Sequence, residues 1–333
     1  MKKGLFINRI GKERFLIGGF LLASFLLIGI LVFMLIPLVN GGVGENVIVK
    51  TYLNVGTVAP EILNISVEDD SNITLLPNAT KLVRCEVLYR DYNNDTNVSS
   101  VNATLYEFST STENGADDNN YHYTNSSCVL NNSFGSWHGV SDDQFTGLAN
   151  CTFEVEYYAD SGTWTCYAEV WDSTDLNDNQ HENTTVEELL AIGLPDSINY
   201  GTVNSTYVSD EQVANATNFG NVEIDLQLSG YAVTPGDGYA FNCTYGNVQN
   251  ISIGYEKYNL TASTSGSLSL TEFENLYINL TSSPTTEQFD LGYRQNDATN
   301  DDAWNSTYWR VYVPLGVAGT CTGNIAVSAV KSV

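Results

Sequence analysis

The chain has 333 residues, room for about two domains of ordinary size beyond any anchor. It carries 39 acidic against 13 basic side chains, a formal net charge of −26. Such an excess of negative charge excludes nucleic acid and anionic lipid headgroups as electrostatic partners over most of the length, because like charges repel.

The first 14 residues oppose that trend, with Lys2, Lys3, Arg9, Lys12 and Arg14 against Glu13. Residues 15–39, Phe15 to Val39, then form an uncharged apolar run of 25 residues. As a helix this run would reach roughly 37 Å, enough for a hydrocarbon core of about 30 Å. Flanking positive charge is retained on the cytoplasmic side, so the run is expected to be a transmembrane signal anchor in contact with membrane lipid, N-terminus inside. The stretch Leu38-Val39-Asn40-Gly41-Gly42 lacks an Ala-X-Ala cleavage site. Secretion after cleavage near Gly42 is the alternative.

Residues 40–58 read as a glycine-rich linker followed by a candidate strand, Val47 to Val55, rich in β-branched residues. From Pro60 onward the hydrophobic signal has period two. Val83, Cys85, Val87 and Tyr89 alternate with polar residues, as do Cys151, Phe153, Val155 and Tyr157, and Val222, Ile224, Leu226 and Leu228. This pattern predicts antiparallel sheets with one buried face. Polar tracts at Asp91–Asn97, Ser111–Asn120 and Asp172–Gln180 read as loops. A boundary near residues 180–193 divides a first sandwich, residues 59–190, from a second, residues 191–333. The final stretch predicts two strands, Thr307–Leu315 and Gly323–Val330, joined by a Pro/Gly turn.

Seventeen Asn-X-Ser/Thr sequons follow residue 60, beginning at Asn64, Asn72, Asn78, Asn94, Asn97, Asn102, Asn125, Asn131, Asn150, Asn183, Asn204, Asn215, Asn242, Asn250, Asn259, Asn279 and Asn305. Composition alone would give roughly 6. N-glycans are bulky and solubilising, so the excess points to an extracellular glycoprotein. A glycan cannot sit on a side chain aimed into a core, and the period-two parity places Asn64, Asn102, Asn242 and Asn279 opposite apolar neighbours. The same parity turns Cys85, Cys151 and Cys243 inward, where intersheet bridges belong.

The six cysteines, Cys85, Cys128, Cys151, Cys166, Cys243 and Cys321, contain no Cys-X-X-Cys pair and read as disulfides. Pairing within each half joins Cys243 to Cys321 and leaves the other four open.

Chemistry is sparse. His122, His138 and His181 have no metal-ligand spacing, and there is no Gly-X-Ser-X-Gly elbow, so the chain is not read as an enzyme. Adjacent carboxylates such as Asp69-Asp70 and Asp301-Asp302 read as solvated loop charge. Asp91, Asn93 and Asp95 occupy alternate positions of an EF-like loop, a candidate for structural calcium. The loop lacks the expected Gly, has Asn102 in place of the bidentate Glu, and shares Asn94 and Asn97 with sequons. Trp164, Trp171, Trp304, Tyr308, Trp309 and Tyr312 are candidates for a sugar-stacking platform.

The segment Asp160-Ser-Gly-Thr-Trp-Thr-Cys166 resembles the strand-F signature of immunoglobulin-like domains, and Val83-X-Cys85-X-Val87 resembles their strand B. The resemblance implies a sandwich with Cys85 bridged to Cys166 across the sheets. Cys128 and Cys151 would then staple a long insertion as a hairpin. Trp164 stands where the corner tyrosine is expected, and no Trp follows shortly after Cys85. The wider layout of apolar segment, Asn/Thr-rich β-domains and dense sequons resembles archaeal cell-surface proteins, with phrases such as Asn218–Leu228 and Trp309–Leu315.

The expected protein is all-β after its anchor, with two immunoglobulin-like sandwiches, and is a membrane-anchored structural component of the cell envelope. It would contact itself or other envelope proteins. The alternatives are a filament subunit in which Val47–Val55 completes a neighbour's sheet, or an adhesin that binds glycans.

Overall fold

The computed structural model describes residues 48–296 and 301–333. The expected anchor at residues 15–39 lies outside them; among the described residues no helix is long and apolar enough to cross a membrane. Thr57–Val333 form one compact unit.

Its first half contains β1 (Glu61–Val67), β2 (Lys81–Arg90), β3 (Val98–Glu107), β4 (His122–Asn125), β5 (Val129–Asn131), β6 (Ser136–Trp137), β7 (Val140–Ser141), β8 (Thr146–Val155), β9 (Gly162–Asp172) and β10 (Asn177–Val186). The sheet β1-β2-β8-β5 lies against the sheet β10-β9-β3-β4, every pair antiparallel. The two sheets form an antiparallel β-sandwich. Val83, Cys85 and Val87 meet Val101, Leu105, Cys166 and Val170 in one core.

Trp164 stands where the strand-F resemblance expects the corner tyrosine. It lies two residues before Cys166, is fully buried, and donates its indole N–H to the Asp160 carbonyl at 2.8 Å. An indole therefore ties the corner that a phenol ties elsewhere. The insertion between β3 and β8 carries β4 and β5, then folds the β6–β7 hairpin over the outer face of β2 and β8. There Leu88, Trp137 and Leu148 form a second small cluster, and Trp137 donates to Glu86 at 3.0 Å. Tyr89 faces Gly147 across the β2–β8 pair, where a Cβ would meet the tyrosine ring at 2.3 Å.

The second half contains β11 (Ile192–Gly193), β12 (Gln212–Asn218), β13 (Ile224–Tyr231), β14 (Tyr239–Gly246), β15 (Asn250–Ser252), β16 (Glu256–Asn259), α1 (Leu270–Leu276), β17 (Ile278–Asn279), β18 (Thr285–Leu291), β19 (Trp304–Val311), β20 (Val317–Thr322) and β21 (Asn324–Lys331). They form three sheets, β11-β12-β19-β16-β17, β18-β13-β21 and β15-β14-β20. The main core holds Ile224, Leu226, Leu228, Tyr258, Phe289 and Trp309.

Several expectations need correction. The polar tract read as a loop to Gln180 becomes a strand at Asn177, because β10 is an edge strand stabilised by ten consecutive pairings with β9 rather than by a buried face. The last residues do not form one hairpin: β19, β20 and β21 enter three different sheets. A short helix, α1, went unpredicted although Ser269 and Glu272 form a reciprocal capping box. Bulges shift register in β1 and β18. At the second bulge Asp225, expected outward, is buried and accepts the freed N–H groups of Phe289 and Asp290 at 2.8 and 3.1 Å. Ile48–Val55, the described part of the candidate strand, has no strand pairing.

The two halves meet through buried asparagines. Asn221 donates to the Ala159 carbonyl at 2.9 Å and accepts from Leu189 N at 2.7 Å. Asn120 donates to the Arg294 carbonyl at 3.1 Å and accepts from Asn296 N at 2.7 Å. Arg294 also lies over the Tyr158 ring, 4.7 Å from its centroid.

Candidate functional site

The sequon asparagines are distributed over both halves and none is buried. Asn64, Asn72, Asn78, Asn131, Asn183, Asn204, Asn215, Asn242, Asn279 and Asn305 are exposed; Asn94, Asn97, Asn102, Asn125, Asn150, Asn250 and Asn259 are half-buried. Three asparagines among the described residues are buried, Asn120, Asn218 and Asn221, and none of them begins a sequon. Each satisfies its amide on backbone groups, as a buried polar side chain must. At Asn94, Asn125, Asn131 and Asn259 the side-chain oxygen accepts the backbone N–H of the sequon's own Ser or Thr. That turn orients the amide locally, without tertiary help. The parity argument needs one repair: Ile278 beside Asn279 is exposed, so the contrast there rests on Leu280 alone.

The cysteines form three disulfides, Cys85–Cys166, Cys128–Cys151 and Cys243–Cys321. Cys85–Cys166 alone spans two sheets. Cys128 lies directly before β5, which pairs with β8, so its bond to Cys151 staples a hairpin. Cys243 and Cys321 are directly opposed on β14 and β20 of one sheet. Cys151 thus makes the hairpin staple that the resemblance implied, and the parity expectation of an intersheet bridge is corrected at Cys243: inward parity places a sulfur in the core without choosing the sheet of its partner.

Asp91, Asn93 and Asp95 stay within one turn, where Asp91 Oδ2 is buried without a hydrogen-bond partner while Asp91 Oδ1 and Asn93 Oδ1 bind separate backbone groups. Asp91 Oδ1 accepts from Asn93 N at 2.7 Å, while Asn93 Oδ1 accepts from Val58 N at 2.9 Å. Asp95 is buried, which raises its carboxyl above the usual range, and the charges of Asp142 and Asp143 add to the effect. Among the described residues no group of three or more His, Cys, Asp or Glu side chains is placed to hold a metal ion.

The aromatic residues do not make one platform. Trp164 is in the core of the first half and Trp309 in that of the second, while Trp304 is exposed and Trp171, Tyr308 and Tyr312 are half-buried. Of the histidines, His122 is buried on β4, with Nδ1 3.2 Å from Asp117 and Nε2 3.1 Å from the Thr112 carbonyl. His138 faces Asp70 and His181 is exposed on β10.

Sequence reasoning missed the buried charges of the second half. Glu256 shares parity with Tyr258 and Leu260 on the core side, and that parity was the available signal. Burial pushes its carboxyl up to about 8, against the opposing effect of the Tyr200 hydroxyl, which donates to Oε1 at 2.9 Å. Its Oε2 is buried without a partner. Arg310, fully buried, donates to the carbonyls of Ser209 at 2.7 Å and Gly266 at 3.0 Å and to the Tyr277 hydroxyl at 3.1 Å. Tyr277 in turn donates to Glu211. Burial opposes the ionisation of Glu211, but hydrogen bonds from Ser263, Thr264 and Tyr277 outweigh it and hold the carboxyl below its usual range. This network pins residues 261–277 to β19, a structural role.

A groove of about 400 Å³ opens in the second half, lined by Leu194, Ile198, Ala214, Glu256, Ile325 and Val327 among others.

No family model and no curated protein matches the sequence. Among solved structures, the chain is similar to carbohydrate-binding modules of the β-sandwich superfamily at 9% identity, covering 83% of this chain and 99% of that one, TM-score 0.22. It is similar to a chaperone–tip adhesin complex of CFA/I fimbriae biogenesis at 11% identity, covering 82% and 84%, TM-score 0.28. The C-terminal domain of the Streptococcus pyogenes antigen I/II-family protein AspA matches at 12% identity, covering 83% and 100%, TM-score 0.22. Likenesses this loose transfer no activity to this chain.

Proposed function

We propose that the protein is a structural component of a cell envelope of archaeal type: a membrane-anchored, N-glycosylated and disulfide-stabilised pair of β-units standing outside the cell. The observation that carries the reading is the partition of its asparagines. Buried asparagines occur only outside sequons, and every sequon asparagine keeps solvent access. Three disulfides with no free cysteine support an oxidising compartment. The acidic surface fits a crowded coat, in which like charge keeps neighbouring molecules soluble. No catalysis is assigned. The glycan-binding alternative loses support from the dispersal of its aromatic residues into two cores.

The test is protease treatment of intact cells followed by glycosidase treatment of the released protein. The reading expects residues beyond 57 to be cleaved without membrane breakage and the fragments to fall in mass on deglycosylation. Protection until the membrane is breached, with no mass change, would refute it.

A further inference from the structure

Ile48, Val49, Tyr52, Leu53 and Val55 are 76 to 92% exposed, and none belongs to a strand. Monomeric proteins seldom leave so many large apolar side chains in water along one short segment. Their order is that of a strand: Val49, Thr51, Leu53 and Val55 share one parity, while Ile48, Lys50, Tyr52 and Asn54 share the other.

The edges of the sheets differ in how well they are guarded. β1 is bulged, and side chains of β10 occupy its backbone groups: Ile62 N donates to Asp178 at 2.8 Å and Gln180 donates to the Ile62 carbonyl at 2.7 Å. β10 itself carries Asp178, Glu182 and the sequon at Asn183. β18 and β20 both contain register shifts. β21 has fewer of these devices. It pairs with β13 over eight consecutive residues without a register shift, it has no proline or sequon, and its one charge is its last residue, Lys331, which is paired with Glu188. It stands at the end of its sheet, so its outward N–H and C=O groups have no partner strand. Ile325 and Val327 line the groove described above together with Glu256, whose buried Oε2 has no partner.

We propose that residues 48–55 of one copy add as a β-strand to β21 of a second copy, with the Val49, Leu53 parity turned into this groove. Main-chain pairing supplies the affinity of such an addition and alternate side chains supply its register. Thr51 falls on the inward parity and brings a hydroxyl to the side where Glu256 lacks a partner. Charge favours the match: residues 46–60 hold Lys50 and no carboxylate, and the groove that would receive them is lined by Asp196 as well as Glu256. Donor and acceptor are different parts of the chain, so the contact is head-to-tail and propagates into an array unless a ring closes. The inference deepens the envelope reading and rests on it for its setting.

The test uses full-length, unglycosylated recombinant protein in detergent micelles, an equal mixture of ¹⁴N- and ¹⁵N-labelled copies, with a photoreactive amino acid at position 55. Cross-linked peptides of mixed isotope joining position 55 to Asn324–Lys331 are expected. The double variant Val49→Asp with Leu53→Asp, which touches only exposed residues, should lower their yield by about tenfold, the effect of roughly 1.4 kcal/mol. Cross-links confined to single-isotope pairs, or mapping away from β21, would overturn the proposal. So would a double variant that associates as the parent does. Because this protein carries no glycan, such a failure leaves the envelope reading intact, whereas a native chain found inside the cell would sink that reading and not the strand contact.

Discussion

The two halves of the molecule solve the same problem with different chemistry. In the first, Cys85–Cys166 joins the sheets through a core of aliphatic side chains, and Trp164 closes the corner. In the second, Cys243–Cys321 joins neighbouring strands of one sheet, and the interior admits the cations Lys257 and Arg310 beside Glu256, where the first half buries carboxylates and His122. The two bridges close loops of almost equal length, with sequence separations of 81 and 78. Restriction of the unfolded chain should therefore stabilise both halves alike, and any difference reports on what each bridge does in the folded state.

The largest effect is expected from removing these bridges. The entropic account gives about 4 kcal/mol for either. Replacing Cys85 and Cys166 together by Ala should cost more than that, because both sulfurs are fully buried and their loss leaves a cavity. Replacing Cys243 and Cys321 should cost no more than the loop term, since Cys321 is half-buried. Urea denaturation of the two double variants checks the order; equal losses would erase the distinction between the halves.

A smaller effect tests the corner. Trp164→Phe removes the indole donor to Asp160 and part of the core volume, and should cost about 2 kcal/mol. Trp164→Tyr should recover part of that loss, because its hydroxyl can seek the same backbone partner that the corner tyrosine of related folds uses. Denaturation midpoints that rank Tyr no better than Phe would mean that bulk, rather than the hydrogen bond, holds the corner.

The most specific effect concerns the second half. Burial keeps Glu256 protonated in the folded protein up to about pH 8, whereas an exposed carboxyl ionises near 4.5. Between those values the folded state binds more protons than the unfolded one, so stability falls as pH rises. The slope attributable to this group approaches at most about 1.4 kcal/mol per pH unit. Glu256→Gln should flatten the stability profile through that window and make the variant more stable than the parent at pH 8. A parallel profile would show that Glu256 is not the group taking up the proton.

The same contrast explains what could be read from the amino-acid order. Period two exposed the buried faces of β2, β8 and β13, and it put Cys85 inward. It failed at β10, whose polar residues earn their strand from backbone pairing at an edge, and at Asp225, which keeps the outward parity of β13 but is covered where β18 bulges over it. Parity also cannot say which sheet lies opposite, which is why the in-sheet bridge of Cys243 was misjudged. The buried Glu256 was visible as a carboxyl in step with Tyr258 and Leu260, a local conflict that only a tertiary partner such as Tyr200 can settle. The asparagines were the most legible feature, since a sequon needs only three residues and a surface.

The central claim is that the folded unit stands outside the cell as an oxidised glycoprotein. Peptide mass spectrometry of the native protein, without reduction, tests it most directly. The account predicts glycan masses on sequon asparagines between Asn64 and Asn305 together with disulfide-linked peptides joining Cys85 to Cys166, Cys128 to Cys151 and Cys243 to Cys321. Unmodified sequons throughout, with six free thiols, would contradict it.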